Sequence, residues 1–204
     1  MPGESGPRFV VVEGVTGVGK STVARALARS LHAPLFHFPP EFRRFRRAVR
    51  LDQDVAPLPR LAYYLAGALH LSSMVEEALA VGPVVCDRYL PSPLGLIEAD
   101  GSTHPAVIDA FRRTFEPHVL RPDVTLLLVA DHATAVDRSD RRGRSERGTT
   151  AVHLRALESG PFFRDWEASL RRAAARLGPV VEIDTSSLSL RQSVDEALAA
   201  IGRS

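Results

Sequence analysis

Residues 13–22 read EGVTGVGKST, and Lys20 within that stretch is the only lysine of the chain; the other 25 members of the Lys+Arg total of 26 are arginine. Gly14, Val15, Thr16, Gly17, Val18, Gly19, Lys20 and Ser21, followed by Thr22, satisfy the pattern G-x-x-x-x-G-K-[ST]. The short β-branched run FVVVE precedes it, and STVARALARSLHA follows with Val23, Leu27 and Leu31 at helical spacing. Strand, loop, helix is the context that gives this pattern its meaning as a phosphate-binding loop. The glycines let successive backbone N–H groups curl toward phosphate oxygens, and the helix opening near Lys20 adds its positive end. Lys20 is expected to reach the β and γ phosphates of ATP, and Ser21 to bind Mg²⁺ through its hydroxyl. An ammonium on a thin stem fits inside such a loop as a point charge, whereas a planar guanidinium does not. The one lysine therefore marks a nucleoside-triphosphate site.

The 204 residues are 45% hydrophobic and 25% charged, which fits one globular domain spanning residues 1–204. A formal charge of +2 gives no reason to expect nucleic acid as a partner. A single cysteine cannot form an internal disulfide and suits a reducing compartment. No apolar run approaches the roughly 20 residues of a membrane helix. The opening MPGESGPR lacks the apolar segment of a secretory signal, so the expected address is the cytoplasm.

Outward from the loop, strands alternate with helices. Strands are expected at 9–13, 35–38, 84–87, 124–130 and 179–183. Helices are expected from Lys20 and over 61–81, 104–120, 133–142, 150–158, 162–177 and 190–201. This alternation implies a five-stranded parallel sheet with right-handed crossovers, an α/β three-layer sandwich of the P-loop type.

Three segments bear on what happens to the phosphate. Asp87-Arg88-Tyr89 closes the strand VVCD, so its side chains emerge at the carboxyl end of the sheet, where ligands of open α/β folds bind. Asp87 is placed to hold the metal's water shell, and Arg88 to bridge transferring and accepting phosphates. Arg138, Arg141, Arg142, Arg144 and Arg147, interleaved with Gly143 and Gly148, form a short arginine-rich lid over residues 138–150. Phe38-Pro39-Pro40-Glu41 offers an aromatic on a rigid turn, fit either to stack on a base or to pack in the core. The basic stretch EFRRFRR at 41–47 is either a further phosphate contact or a solvated helix face. Cys86 reads as core, and His37, beside the acceptor turn, is the histidine to watch.

Taken together the chain resembles the thymidylate kinase family of nucleoside monophosphate kinases. FVVVEGVTGVGKST resembles its opening strand and loop, HFPPE its acceptor turn, VVCDRYLPS its Asp-Arg-Tyr segment, RPDVTLLLVA its strand before the lid and VVEIDTS its last strand. The resemblance covers nearly the whole chain in order. It implies ATP and Mg²⁺ as cofactors, a small-molecule phosphate acceptor and a homodimer. The catalytic residues it implies are Lys20, Asp87, Arg88, Arg138 and Arg142. Acceptor contacts follow at Phe38, Pro39, Glu41, Arg88, Ser92 and Leu96, with Ser21 and Asp87 on the metal.

The acceptor half departs from the family pattern. Thr16 stands where the family places an acidic residue, and Ala68 where it places a base-reading arginine. Ser92-Pro93-Leu94-Gly95-Leu96-Ile97 replaces a stretch bearing polar readers of thymine. The expected reaction is direct in-line transfer of the γ-phosphoryl group to a nucleoside monophosphate, dTMP or a relative. One alternative is a kinase acting on a hydroxyl, for which Asp87 or Glu41 would take the proton. Another is an ATP-binding regulatory module.

Overall fold

The computed structural model describes residues 8–143 and 150–202. Five parallel strands, β1 (Phe9–Glu13), β2 (Leu35–Phe36), β3 (Val84–Asp87), β4 (Val124–Val129) and β5 (Val180–Asp184), form one sheet in the order β2-β3-β1-β4-β5. Register places Val11 opposite Cys86 and Thr125, and Val12 opposite Asp87 and Leu126. β1, β3 and β4 are buried along their whole length, as apolar central strands covered on both faces must be.

Alternation divides the core. Val10, Val12 and Val85 join a cluster with Val23 and Leu27 of α1 (Lys20–Ser30) and with Val194, Ala197 and Ile201 of α10 (Leu190–Ile201). Phe9, Val11, Val84 and Cys86 turn the other way, onto α4 (Pro57–Leu79) and α5 (Pro91–Asp100). Cys86 is fully buried there, and burial pushes its thiol well above the usual range, so it packs as an apolar side chain. Among the described residues no helix is long and apolar enough to cross a membrane.

The expected α/β sandwich and its five strands are present, with local differences. β2 is only two residues long, which leaves Phe38 in the turn beyond it. Pro117 ends α6 (Pro105–Phe115), and the remainder of that segment is a 3₁₀ turn at Glu116–His118. The basic stretch forms α2 (Pro40–Ala48), followed by the short α3 (Leu51–Asp54). α5 has no counterpart in the sequence reading, because PSPLGLIEAD carries two prolines and a glycine. Pro91 sits in the first turn, where no N–H is missed. A Cβ at Gly95 would lie 2.9 Å from the Leu170 backbone, so the glycine permits close packing on α9 (Gly160–Ala175). α7 (His132–Arg141) and α8 (Ala151–Glu158) complete the fold around the lid. Arg144, Arg147 and Gly148 of that lid lie outside the described residues.

Candidate active site

The phosphate loop runs from the end of β1 to the start of α1 with Gly14, Gly17 and Gly19 at φ 146°, 84° and 94°. Contact as well as conformation demands glycine at two of these. A Cβ would lie 2.3 Å from the Leu128 carbonyl at Gly14 and 2.4 Å from the Ala135 carbonyl at Gly17. Val15 and Val18 anchor the loop in the core. Lys20 is buried and donates from Nζ to the Val15 carbonyl inside its own loop. Burial, reinforced by the nearby Arg88, pulls its pKa well below the ordinary lysine value; Asp87 and Glu13 act in the opposite sense.

Asp87 ends β3. Burial by itself would raise its carboxyl, but His37, Ser21, Arg88 and Lys20 outweigh that and hold it at about 2. His37 Nδ1 lies 3.4 Å from Asp87 Oδ2, while Oδ1 is buried without a hydrogen-bond partner among the described residues. An ionised, partly unsatisfied carboxylate beside the Ser21 hydroxyl is a donor set suited to Mg²⁺.

Arg88 occupies the left-handed region at φ 74°, uncommon for a residue with a side chain. The turn is held from β1. Its amide donates to the Val12 carbonyl at 3.1 Å, the next amide, Tyr89, to Glu13 Oε1 at 2.9 Å, and Ser92 Oγ to Glu13 Oε2 at 2.7 Å. Arg88 Nη1 in turn donates to Ser92 Oγ at 3.0 Å. Burial raises the Glu13 carboxyl above the usual range despite Arg88 and these hydrogen bonds. Sequence reasoning passed over Glu13 as the end of a strand. A carboxylate closing a fully buried apolar strand was the available signal.

Two cavities flank this centre. One, of about 380 Å³, is lined by Gly17, Val18, Gly19 and Thr22 of the loop region, by Arg138, Arg141 and Arg142, and by Thr185 and nearby residues after β5. Arg138 donates to the Thr185 hydroxyl at 2.9 Å and to its carbonyl at 2.5 Å. The same hydroxyl lies 3.1 Å from the Val18 carbonyl and 3.0 Å from that of Val129. Arg142 is exposed at the end of α7.

The second cavity, of about 160 Å³, collects Phe38, Arg88, Ser92 and Leu96 with Arg60, Tyr64 and Ala68 of α4, and with His153 and Trp166 beyond the lid. Pro39 and Glu41 are not among its lining residues: Pro39 is buried beneath the turn, and Glu41 is exposed on the first turn of α2. Arg46, from the basic stretch, does reach the lining. Phe38 lies against Gly67, where a Cβ would come within 2.2 Å of its ring. Tyr64, His153 and Trp166 were invisible as site residues in the sequence. Each looks like ordinary helical core until the fold brings three separate helices together.

The thymidylate kinase family model matches residues 12–160. A thymidylate kinase from Methylococcus capsulatus is 35% identical over 187 residues, covering 87% of this chain and 86% of that protein. In fold, the chain is similar to thymidylate kinase from Candida albicans, with a TM-score of 0.71, 17% identity, and 97% and 92% of the two chains covered. It is also similar to deoxyadenosine kinase from M. mycoides with bound dATP, with a TM-score of 0.69, 16% identity and coverage of 95% and 98%. With the loop, the Asp-Arg-Tyr turn and the two cavities in place, the chain belongs to the thymidylate kinase family and is an ATP-dependent kinase.

Proposed function

We propose that this kinase transfers the γ-phosphoryl group of ATP to a nucleoside monophosphate seated in the smaller cavity, dTMP or a close relative. The observation that carries this reading is the position of Lys20. Its charge is felt together with that of Arg88, which lines the acceptor cavity, and of Arg142, which lines the donor cavity. Lys20 lines neither cavity itself, but its charge is coupled to an arginine from each.

In this mechanism the loop amides and the α1 N-terminus bind the donor phosphates, with Lys20 on the β and γ groups. Ser21 and Asp87 would hold Mg²⁺, which supplies neutralisation of charge on the donor phosphates. Arg88 orients the acceptor phosphate and stabilises charge spreading during in-line transfer, aided by Arg138 and Arg142 from the lid. The acceptor phosphate is already anionic, so no general base is required. Phe38 and Tyr64 bracket the base, and Ser92 and Leu96 line its approach. Family likeness also supports a homodimer, which sedimentation of the full chain tests.

The test is ADP release from Mg-ATP on addition of dTMP, dUMP, dCMP, dGMP or thymidine in turn. Turnover of roughly 1–100 s⁻¹ with a monophosphate is expected. Stimulation by thymidine alone would replace this reading with a hydroxyl-accepting kinase.

A further inference from the structure

The acceptor cavity has Ala68 on α4, and its walls at Leu61, Leu71, Leu96 and Ile97 are apolar. Yet one buried polar atom in that lining has nothing to bond. Trp166 is 1% exposed, and its indole Nε1–H has no hydrogen-bond partner among the described residues. Leaving such a donor unsatisfied is costly, and Trp166 is one of the residues lining the cavity, so a ligand seated there is the available source of an acceptor.

His153 stands beside it, the two rings 5.7 Å apart. It occupies the third position of α8 and turns Nδ1 back to the helix start, where the Thr150 backbone amide donates to it at 3.2 Å and the Thr150 hydroxyl lies at 2.9 Å. A backbone N–H can only donate, so Nδ1 carries the lone pair and the proton sits on Nε2. The ring is thereby fixed in the tautomer that offers an N–H donor away from its own helix. Burial and the charges of Arg88, Lys20 and Arg46 keep it neutral, at about 3.

The acceptor groups nearby are already engaged. Asp100 receives Arg155 at 2.7 Å, and Ser92 Oγ receives Arg88 Nη1 at 3.0 Å. Two N–H donors in an apolar wall suit a ring carbonyl. An exocyclic amine in the same place would set donor against donor and bury an unpaired N–H.

We propose that Trp166 and His153 read the base of the acceptor, each presenting an N–H to a ring carbonyl, so that the site selects a keto-pyrimidine monophosphate. This rests on the cavity being the acceptor site. The pair does from α8 and α9 what no polar side chain at position 68 does from α4.

Trp166 is the only tryptophan of the chain, so its fluorescence reports directly on this wall. Saturable changes are expected on titration with dTMP and dUMP, at concentrations about 10-fold or more below those needed for dCMP. Trp166→Phe keeps an aromatic ring and removes the N–H together with the five-membered part of the indole, so its melting temperature is measured alongside. Together with His153→Phe it is expected to lower the dTMP/dCMP ratio of kcat/KM by about 10- to 100-fold, with KM for ATP unchanged. His153→Gln, which retains an N–H, is expected to recover part of the preference. Should His153→Phe fail to fold, Trp166→Phe and His153→Gln decide the matter. A ratio unchanged within twofold in the folded variants overturns the proposal, as does equal or better use of dCMP or a purine monophosphate by the native chain. Those results leave the monophosphate kinase standing, whereas no ADP release with any monophosphate sinks both readings.

Discussion

The carboxylate of Glu13 and the hydroxyl of Ser92 meet at 2.7 Å across 79 residues of sequence, and the same carboxylate receives the Tyr89 amide at 2.9 Å. Together these contacts brace the left-handed turn at Arg88 from the neighbouring strand. A residue held in that region costs roughly 1–3 kcal/mol and persists only where its surroundings over-determine it. Glu13→Gln places an NH₂ group against one of two donors. It is expected to cost about 1–3 kcal/mol in a thermal or urea melt and to lower kcat/KM about 10- to 100-fold. Full activity in a destabilised Glu13→Gln would show that the brace does not position Arg88 for transfer.

Lys20 should be irreplaceable for function and dispensable for folding. It is buried within a loop whose curvature is set by the glycines and the anchoring valines, so its charge carries a desolvation cost. Both Lys20→Met and Lys20→Arg are expected to lose at least about 10²-fold in kcat/KM, the second because a guanidinium does not fit the loop. The melting temperature of Lys20→Met without nucleotide is expected to equal or exceed that of the native chain. A large fall would instead make the lysine a structural element.

Gly67 lies inside α4, where alanine would ordinarily strengthen the helix by up to ~1 kcal/mol. Here the added methyl would stand 2.2 Å from the Phe38 ring, which must swing aside. Gly67→Ala is therefore expected to raise KM for the acceptor by about tenfold while stability and KM for ATP stay nearly constant. An unchanged acceptor KM would remove Phe38 from the acceptor site.

Acid should loosen the junction of α5, α6 and α9. Glu98 receives Arg112 Nη2 at 2.5 Å and Arg172 Nε at 2.9 Å. Burial would raise its carboxyl, but the two arginines outweigh that and depress it below the ordinary value. The fold therefore binds fewer protons there than the unfolded chain. The contribution is complete above pH ~4.3, the unfolded value, and is lost as pH falls through the lower folded one. Glu98→Gln is expected to cost about 1–2 kcal/mol at pH 7, with the difference from the native chain closing toward pH 3. A gap independent of pH would assign the loss to packing instead.

The sequence by itself determined the phosphate loop, the five strands and their alternation with helices, because those signals are local. A glycine pattern between an apolar run and an amphipathic one means the same thing wherever the chain goes next. Asp87 and Arg88 were legible for a related reason, since a strand's carboxyl end faces the ligand side in any open parallel sheet. α5 was not legible, because its prolines and glycine argue against a helix until Gly95 is seen pressed on Leu170. Only the tertiary structure assembled the second cavity. Phe38 and Arg88 were expected there from their turn and strand end, but Tyr64, His153 and Trp166 come from three helices, and nothing in their own neighbourhoods distinguishes them from core. Glu13 likewise looks like the last residue of a strand until β3 pairs with β1 and brings the Arg88 turn onto its carboxylate. Crossover packing joins residues far apart in the chain, and the chemistry of this cavity exists only where those crossovers meet.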